Sequence, residues 1–321
     1  MILTARSSVA ALAAVAALAA CGDGSESTRD GQITTSSIVA TTSIWADITS
    51  ATLCGADVSS VIPPGADPHT YETSLRDRET LEQADVVVAN GGGLEDSLTD
   101  LLSVIGTNGT TVIEVMTQVD PLEPADEADH DDDDDHDDDD HDDDPDDEGG
   151  DAHDHRIDPH IWQDPQRVIS ALPAIAGARQ GDEPDCVDGY RAELEELDVD
   201  IAGILAAIPA ADRVMVTSHD SLAYFADRYD FEIVGTVIPS TNTLAQTNAA
   251  DLADLAETIE RRGVTAIFTE QLESTADAES LAERLDVRVV PLVTDALTDD
   301  APTYIEMMRG NATSIAEALT P

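Results

Sequence analysis

Short apolar runs alternate with longer stretches of helical periodicity along most of this chain, and that alternation constrains its fold most. Ser37–Thr41, Asp85–Ala89, Val112–Val115, Arg213–Thr217, Glu232–Val237, Val264–Phe268 and Arg288–Val293 have the length and character of buried strands, bounded by Gly, Pro, Asn or Asp. Between them, Leu252, Leu255, Ala256 and Ile259 share one helical face, as do Leu222, Phe225 and Ala226. Strands separated by helices imply parallel sheets with helical cover. The runs fall into two groups, before Pro121 and after Ala211. The pattern therefore predicts an α/β protein of two lobes, each with a mostly parallel sheet covered by helices. A hydrophobic fraction of 41% is enough to bury such cores.

Between the two groups the spacing predicts one long helix over Asp185–Ile208. Tyr190, Leu194, Leu197, Ile201, Ile204, Leu205 and Ile208 recur every three or four residues, with charged residues on the other face and Pro184 and Pro209 at the ends. A single helix joining two lobes is a stiff connection, so small lobe movements and local loop rearrangement are expected rather than a wide hinge.

The N-terminus points to export. Arg6 precedes an Ala-rich apolar stretch from Val9 to Ala20, too short for a membrane-spanning helix. It ends Leu18-Ala19-Ala20-Cys21-Gly22, which looks like a bacterial lipobox cleaved before Cys21. Residues 1–20 are then a signal peptide, Cys21 the site of lipidation, and residues 21–32 a lipidated, flexible tether. The expected location is the extracytoplasmic face of the bacterial cell membrane. In that oxidising compartment Cys54 and Cys186, which lack metal-type spacing, are candidates for a disulfide.

Charge narrows the partners. The chain has 68 Asp+Glu against 15 Lys+Arg, all of the latter arginine, for a formal net charge of −53. A basic face for nucleic acid or anionic lipid is missing, whereas small cations suit such a field. The charge is densest in Ala125–His155, where 20 residues are acidic and His130, His136, His141, His153 and His155 account for five of the eight histidines. So little apolar content cannot form a core, which predicts disorder. Imidazole and carboxylate together make it a weak, multi-site metal collector.

The other histidines sit in punctuated contexts. His69 lies in Ile62-Pro63-Pro64-Gly65-Ala66-Asp67-Pro68-His69-Thr70-Tyr71-Glu72, and His160 in Asp158-Pro159-His160-Ile161-Trp162-Gln163-Asp164-Pro165, where proline restricts the backbone. His219 directly follows the strand Arg213–Thr217, where ligands of open α/β sheets gather. Asp295 and Glu270 each close a later strand in the same way. Three imidazoles and one carboxylate make a sound site for Zn2+; position alone leaves Asp295 and Glu270 as alternatives for the carboxylate. A metal hydrolase is disfavoured, because neither HExxH nor GxSxG occurs.

Four segments together carry a resemblance. Pro63-Pro64-Gly65-Ala66-Asp67-Pro68-His69, Asp158-Pro159-His160-Ile161-Trp162, Thr217-Ser218-His219-Asp220-Ser221-Leu222-Ala223-Tyr224-Phe225 and Thr294-Asp295-Ala296-Leu297 resemble the zinc- and manganese-binding solute-binding lipoproteins of ABC importers (cluster A-I, the adhesion-lipoprotein family). The similarity runs from about Ile38 to Ile315, with the motifs in order behind a lipobox.

The resemblance implies two α/β lobes joined by a long helix, with one metal bound in the cleft. It implies the ligands His69, His160, His219 and Asp295, and places Glu270 beside the cleft in a supporting position. His at the third ligand is usual for zinc binders and Glu for manganese binders. A His-rich insertion is also expected between the first two ligands, although here it is far richer in Asp. The implied domains are a lobe over residues 33–184 carrying the insertion 125–155, a linking helix over 185–208, and a lobe over 209–321. The implied function is non-enzymatic capture of Zn2+, with Mn2+ less favoured, by a monomer that delivers it to a permease and its ATPase. A manganese or iron binder and a surface adhesin or metal buffer are the alternatives.

Overall fold

A computed structural model of the chain describes residues 37–122, 157–178, 184–245, 247–272 and 275–320. The expected signal peptide, Cys21, the tether, and the tract 125–155 with His130, His136, His141, His153 and His155 lie outside the described residues. The first sheet contains β1 (Ile38–Ala40), β2 (Val58–Ser60), β3 (Val86–Ala89) and β4 (Thr111–Glu114), in the order β2-β1-β3-β4. The second contains β5 (Val214–Thr217), β6 (Glu232–Thr236), β7 (Ala266–Glu270) and β8 (Arg288–Leu292), in the order β6-β5-β7-β8. Every pairing within both sheets is parallel.

The predicted runs form strands to within two residues at every end. The sequence reading missed β2, because Val58-Ser59-Ser60 is a short, polar edge strand without an apolar run to mark it. Its register, Ile38 opposite Val58, comes from pairing with β1 rather than from its own side chains.

Helices cover both faces of each sheet: α1 (Ser43–Thr52), α2 (Leu75–Gln83), α3 (Asp96–Thr107), α4 (Pro165–Ala176), α5 (Pro184–Leu205), α6 (Ala223–Tyr229), α7 (Ala249–Arg262), α8 (Ala276–Leu285) and α9 (Tyr304–Leu319). Successive strand residues point to opposite faces, so the four-residue runs feed two cores. Val39 and Val87 pack outward with Leu98 and Leu102, while Ala40 and Val88 face inward. In the second sheet Val216 and Ile267 pack with Leu255 and Ile259, while Met215 and Phe268 face inward. The inward residues of both sheets belong to one continuous apolar core with Trp45, Trp162, Leu194, Ile201 and Tyr304.

The long helix α5 lies along that shared core, packing on α1, α4 and α9. Tyr190, Leu194, Leu197, Ile201 and Leu205 are buried as the periodicity predicts. Its ends differ from the expected Asp185–Ile208. Pro184 is the first helical residue, where its missing N–H costs nothing. The helix stops at Leu205, three residues early, because the residues before Pro209 are pushed out of helical geometry; Ile208 turns back and donates to the Leu205 carbonyl at 3.0 Å. Among the described residues no helix is long and apolar enough to cross a membrane.

Two further ties hold α5. Cys186 in its first turn is disulfide-bonded to Cys54, just beyond α1, across 132 residues of sequence with Cα atoms 5.4 Å apart. Near its middle, the buried Asp198 accepts from Arg228 Nε at 2.9 Å and from Arg228 Nη2, from Tyr229 Oη at 3.0 Å, and from Gln166 Nε2 at 3.0 Å. One carboxylate thus joins α4, α5 and α6. Desolvation pushes Asp198 upward, but the Arg228, Tyr229 and Gln166 hydrogen bonds and the Arg228 charge outweigh it, leaving the group below the usual carboxylate range.

Closing so long a loop with a disulfide removes about 5 kcal/mol of unfolded-state freedom. Urea unfolding with and without reductant should show a loss of that order, and coincident curves would remove the bond from the stability of the fold. Asp198→Asn should cost about 2 kcal/mol at neutral pH. Because folding lowers this pKa, the stabilisation is present above the unfolded value of about 3.9 and lost as pH falls through the folded value. The difference between variant and parent should therefore shrink below about pH 4; a difference independent of pH would mean that Asp198 acts through packing alone.

Candidate metal centre

Both sheets have the same strand order, and in each the chain leaves neighbouring strands in opposite directions, between β1 and β3 and between β5 and β7. Crevices beyond the carboxyl ends of the strands at such points receive ligands in open α/β folds. His219 lies just past β5, Glu270 is the last residue of β7, and Asp295 follows β8. His69 lies in the connection from β2 to α2, and His160 immediately precedes the short turn Ile161–Gln163 that leads to α4.

The structure brings His69, His160, His219 and Asp295 together. One donor atom from each lies within 4.8 Å of all the others, and all four residues are buried. His69 Nε2 and His219 Nε2 are 3.3 and 3.4 Å from His160 Nε2. Asp295 Oδ2 is 3.7 Å from His69 Nε2 and 3.8 Å from His219 Nε2, and its Oδ1 is 3.8 Å from His160 Nε2. Each histidine therefore aims the same ring nitrogen at one small volume faced by a carboxylate. Both Asp295 oxygens are buried without a hydrogen-bond partner among the described residues. Leaving a buried carboxylate so poorly solvated is costly unless a cation shares the site. Burial, and then the Glu270 carboxylate, push Asp295 well above the usual carboxylate range, with His219 opposing them.

The tripeptide Asp-Pro-His occurs at Asp67-Pro68-His69 and at Asp158-Pro159-His160, and the acid does the same work in both. Asp67 Oδ1 accepts from the His69 backbone N–H at 2.8 Å, and Asp158 Oδ1 from the His160 N–H at 2.9 Å. Each closes an Asx turn that fixes the backbone of the histidine two residues on. Sequence reasoning assigned the rigidity to proline alone and missed these acids, although the repeated tripeptide was the available signal. Asp158 Oδ1 also lies 2.6 Å from His160 Nδ1. A proton held there leaves Nε2 as the outward lone pair. Desolvation raises Asp158 to about 7, against the His160 backbone hydrogen bond and the charges of His219 and Arg167.

Glu270 does not join the four. Its Oε1 lies 3.1 Å from His219 Nδ1 and accepts from Ser221 Oγ at 2.7 Å, so it sits behind the imidazole. Trp162 couples the His160 turn to the segment after β8: its ring lies 5.3 Å from that of His160, and its Nε1 donates to the Thr294 carbonyl at 2.7 Å. Asn311 holds the residue before that by two hydrogen bonds to the Val293 backbone, at 2.6 and 3.0 Å. Asn90 donates to the Pro159 carbonyl at 3.0 Å and accepts from Trp45 Nε1 at 2.8 Å. Gly92, at φ +66°, lets this turn approach: a Cβ there would meet Met116 Cγ at 3.1 Å and Pro159 Cβ at 3.5 Å. Finally, the hydroxyl of Tyr224 on α6 accepts from the Leu122 N–H at 3.2 Å and donates to the Asp158 carbonyl at 2.9 Å.

Comparison with known proteins agrees with this geometry. Residues 38–318 match the family described as ZnuA, zinc-uptake complex component A, periplasmic. The zinc-binding protein TroA of Treponema pallidum is 25% identical over 278 residues, covering 82% of this chain and 81% of TroA. The manganese-binding lipoprotein MntA of Bacillus subtilis is 28% identical over 330 residues, covering 97% of each. The solved structure of periplasmic zinc binding protein TroA from Treponema pallidum superposes with a TM-score of 0.73 at 24% identity, covering 89% of this chain and 99% of that one. A Mn-bound periplasmic metal binding protein from Candidatus Liberibacter asiaticus gives a TM-score of 0.70 at 19% identity, covering 88% and 99%.

The relatives are named as zinc- and manganese-binding proteins, and the family as a component of a metal-uptake complex, so the chain is a metal-binding protein of transport rather than an enzyme. The chain belongs to the ZnuA family of extracytoplasmic solute-binding proteins, the metal-binding components of metal uptake complexes.

Proposed function

We propose that this protein captures Zn2+ outside the cytoplasm through His69, His160, His219 and Asp295, and delivers it to an ABC-type permease and ATPase. The observation that supports this reading is the convergence of three buried imidazole Nε2 atoms on one buried carboxylate. Three neutral nitrogens and one anionic oxygen suit a borderline ion that accepts four ligands, whereas Mn2+ favours more oxygen. The similarity to MntA supports a second reading, capture of Mn2+. Under that reading Glu270 would have to turn from His219 and add an oxygen.

The donors come in pairs from the two sheets, His69 and His160 from one and His219 and Asp295 from the other. Release thus requires only that the sheet ends part by a fraction of the bond length that holds the ion. The shared core and α5 oppose any wide opening. Delivery is expected to proceed by small shifts and loop rearrangement when the permease engages. Anchoring through lipidated Cys21 would keep the carrier at the membrane surface where that permease lies.

Calorimetry on the mature protein lacking residues 125–155 should show about one Zn2+ bound tightly per chain. Asp295→Ala should weaken that binding by more than about 100-fold; affinity equal to that of the parent would remove Asp295 from the site. His219→Glu should shift the Zn2+/Mn2+ affinity ratio toward Mn2+, and competition titration yielding an unchanged ratio would sink the role given to His219 in metal choice.

A further inference from the structure

The connection that follows β6 has a job that neither the metal ligands nor their supporting acids explain. We infer that Thr243 is a positioning residue: its hydrogen bond to Asp67 latches the loop bearing His69 to the loop behind His219 and slows metal release. The inference rests on His69 and His219 holding the metal, as proposed above.

Asp67 uses its two oxygens differently. Oδ1 accepts from the His69 backbone N–H at 2.8 Å and so sets that residue's position. Oδ2 accepts from Thr70 Oγ1 at 3.0 Å and, from the second sheet's side, from Thr243 Oγ1 at 2.9 Å. Thr243 is 176 residues away in sequence and half-buried.

The segment carrying Thr243 is fastened on both sides of His219. The Ile238 N–H donates to the Ser218 carbonyl at 2.7 Å, and the Asp220 N–H donates to the Ser240 carbonyl at 3.0 Å. Ser240 Oγ then accepts from the Asn242 N–H at 3.0 Å, and Asn242 Oδ1 from the Leu244 N–H at 2.8 Å. These short-range bonds hold Thr243 at a fixed place relative to His219. A continuous set of hydrogen bonds therefore runs from the backbone of one histidine, through Asp67 and Thr243, to the peptides flanking another.

Among the described residues the His69 loop also makes a backbone bond across the same gap, from Gly65 N–H to the Leu297 carbonyl at 2.8 Å, two residues beyond Asp295. That bond is independent of side-chain identity. Thr243 supplies the side-chain bond that a substitution can remove. With both in place, His69 cannot retreat from the metal without leaving the loops beside His219 and Asp295. Without Thr243, the loop keeps its Asx turn but loses the tie to the His219 side.

The test is stopped-flow release of Zn2+ from the full-length protein into excess chelator. Thr243→Val, close to isosteric, and Thr243→Ala should each raise the dissociation rate by about ten-fold or more, as expected for a lost hydrogen bond to a charged acceptor. Thr243→Ser should restore it. Stoichiometry at the tight site and the association rate should stay at parental values. In an Asp67→Ala background Thr243→Val should have no further effect, because the acceptor is gone. Parental release rates in Val and Ala variants of a chain that binds Zn2+ tightly would overturn the latch. So would additive effects of the two substitutions on the release rate. Should the parent bind no Zn2+ tightly, or His69→Ala leave binding intact, the metal-site reading itself would fail, a result distinct from failure of the latch.

Discussion

The structure is organised around a carboxylate that has been denied ordinary solvation. Asp295 is buried, and its oxygens face three imidazole nitrogens. An isolated anion in such a place is unfavourable, so the surroundings must hold it there against its tendency to protonate or move out. That task falls to residues with no direct claim on a metal. Trp162 grips the Thr294 carbonyl, Asn311 holds Val293 on both sides of its peptide, and Tyr304 Oη donates to the Trp162 carbonyl at 2.6 Å. The site is preorganised because its costs are met by the folding of the core beneath it.

Two sheets with equivalent strand orders create the crevice. Each presents its carboxyl-end loops to the other, and the apolar core runs beneath both without a break. This arrangement explains how ligands as far apart in sequence as His69 and Asp295 can converge without a mobile hinge between them. The disulfide and the Asp198 network act on the same helix, α5, from two points along it. The long connection is consequently a strut. The loops at the sheet ends are held instead by polar contacts, which can exchange partners with water at modest cost.

Much of this was legible in the sequence because the relevant signals were local. Buried parallel strands announce themselves as apolar runs, and the α5 periodicity survives its three-residue error at the C-terminus. The four candidate ligands stood out by context: proline before two of them and strand ends before the others. What escaped notice depended on pairing. β2 has no apolar signature and exists as a strand because β1 lies beside it. Asp67 and Asp158 looked like surface acids in a chain full of them, and only their hydrogen bonds to His69 and His160 separate them from the rest. Position alone left Glu270 and Asp295 as alternatives; distance separates them, since Glu270 reaches the far nitrogen of His219 while Asp295 faces the near ones.

The two contacts of Tyr224 have a consequence for the acidic, histidine-bearing tract. Its hydroxyl bonds both to Leu122, which precedes that tract in the sequence, and to Asp158, which follows it. The departing and returning strands of polypeptide are thus clamped at one oxygen atom. That clamp holds the backbone of Asp158, the residue whose carboxylate in turn fixes the backbone and ring of His160.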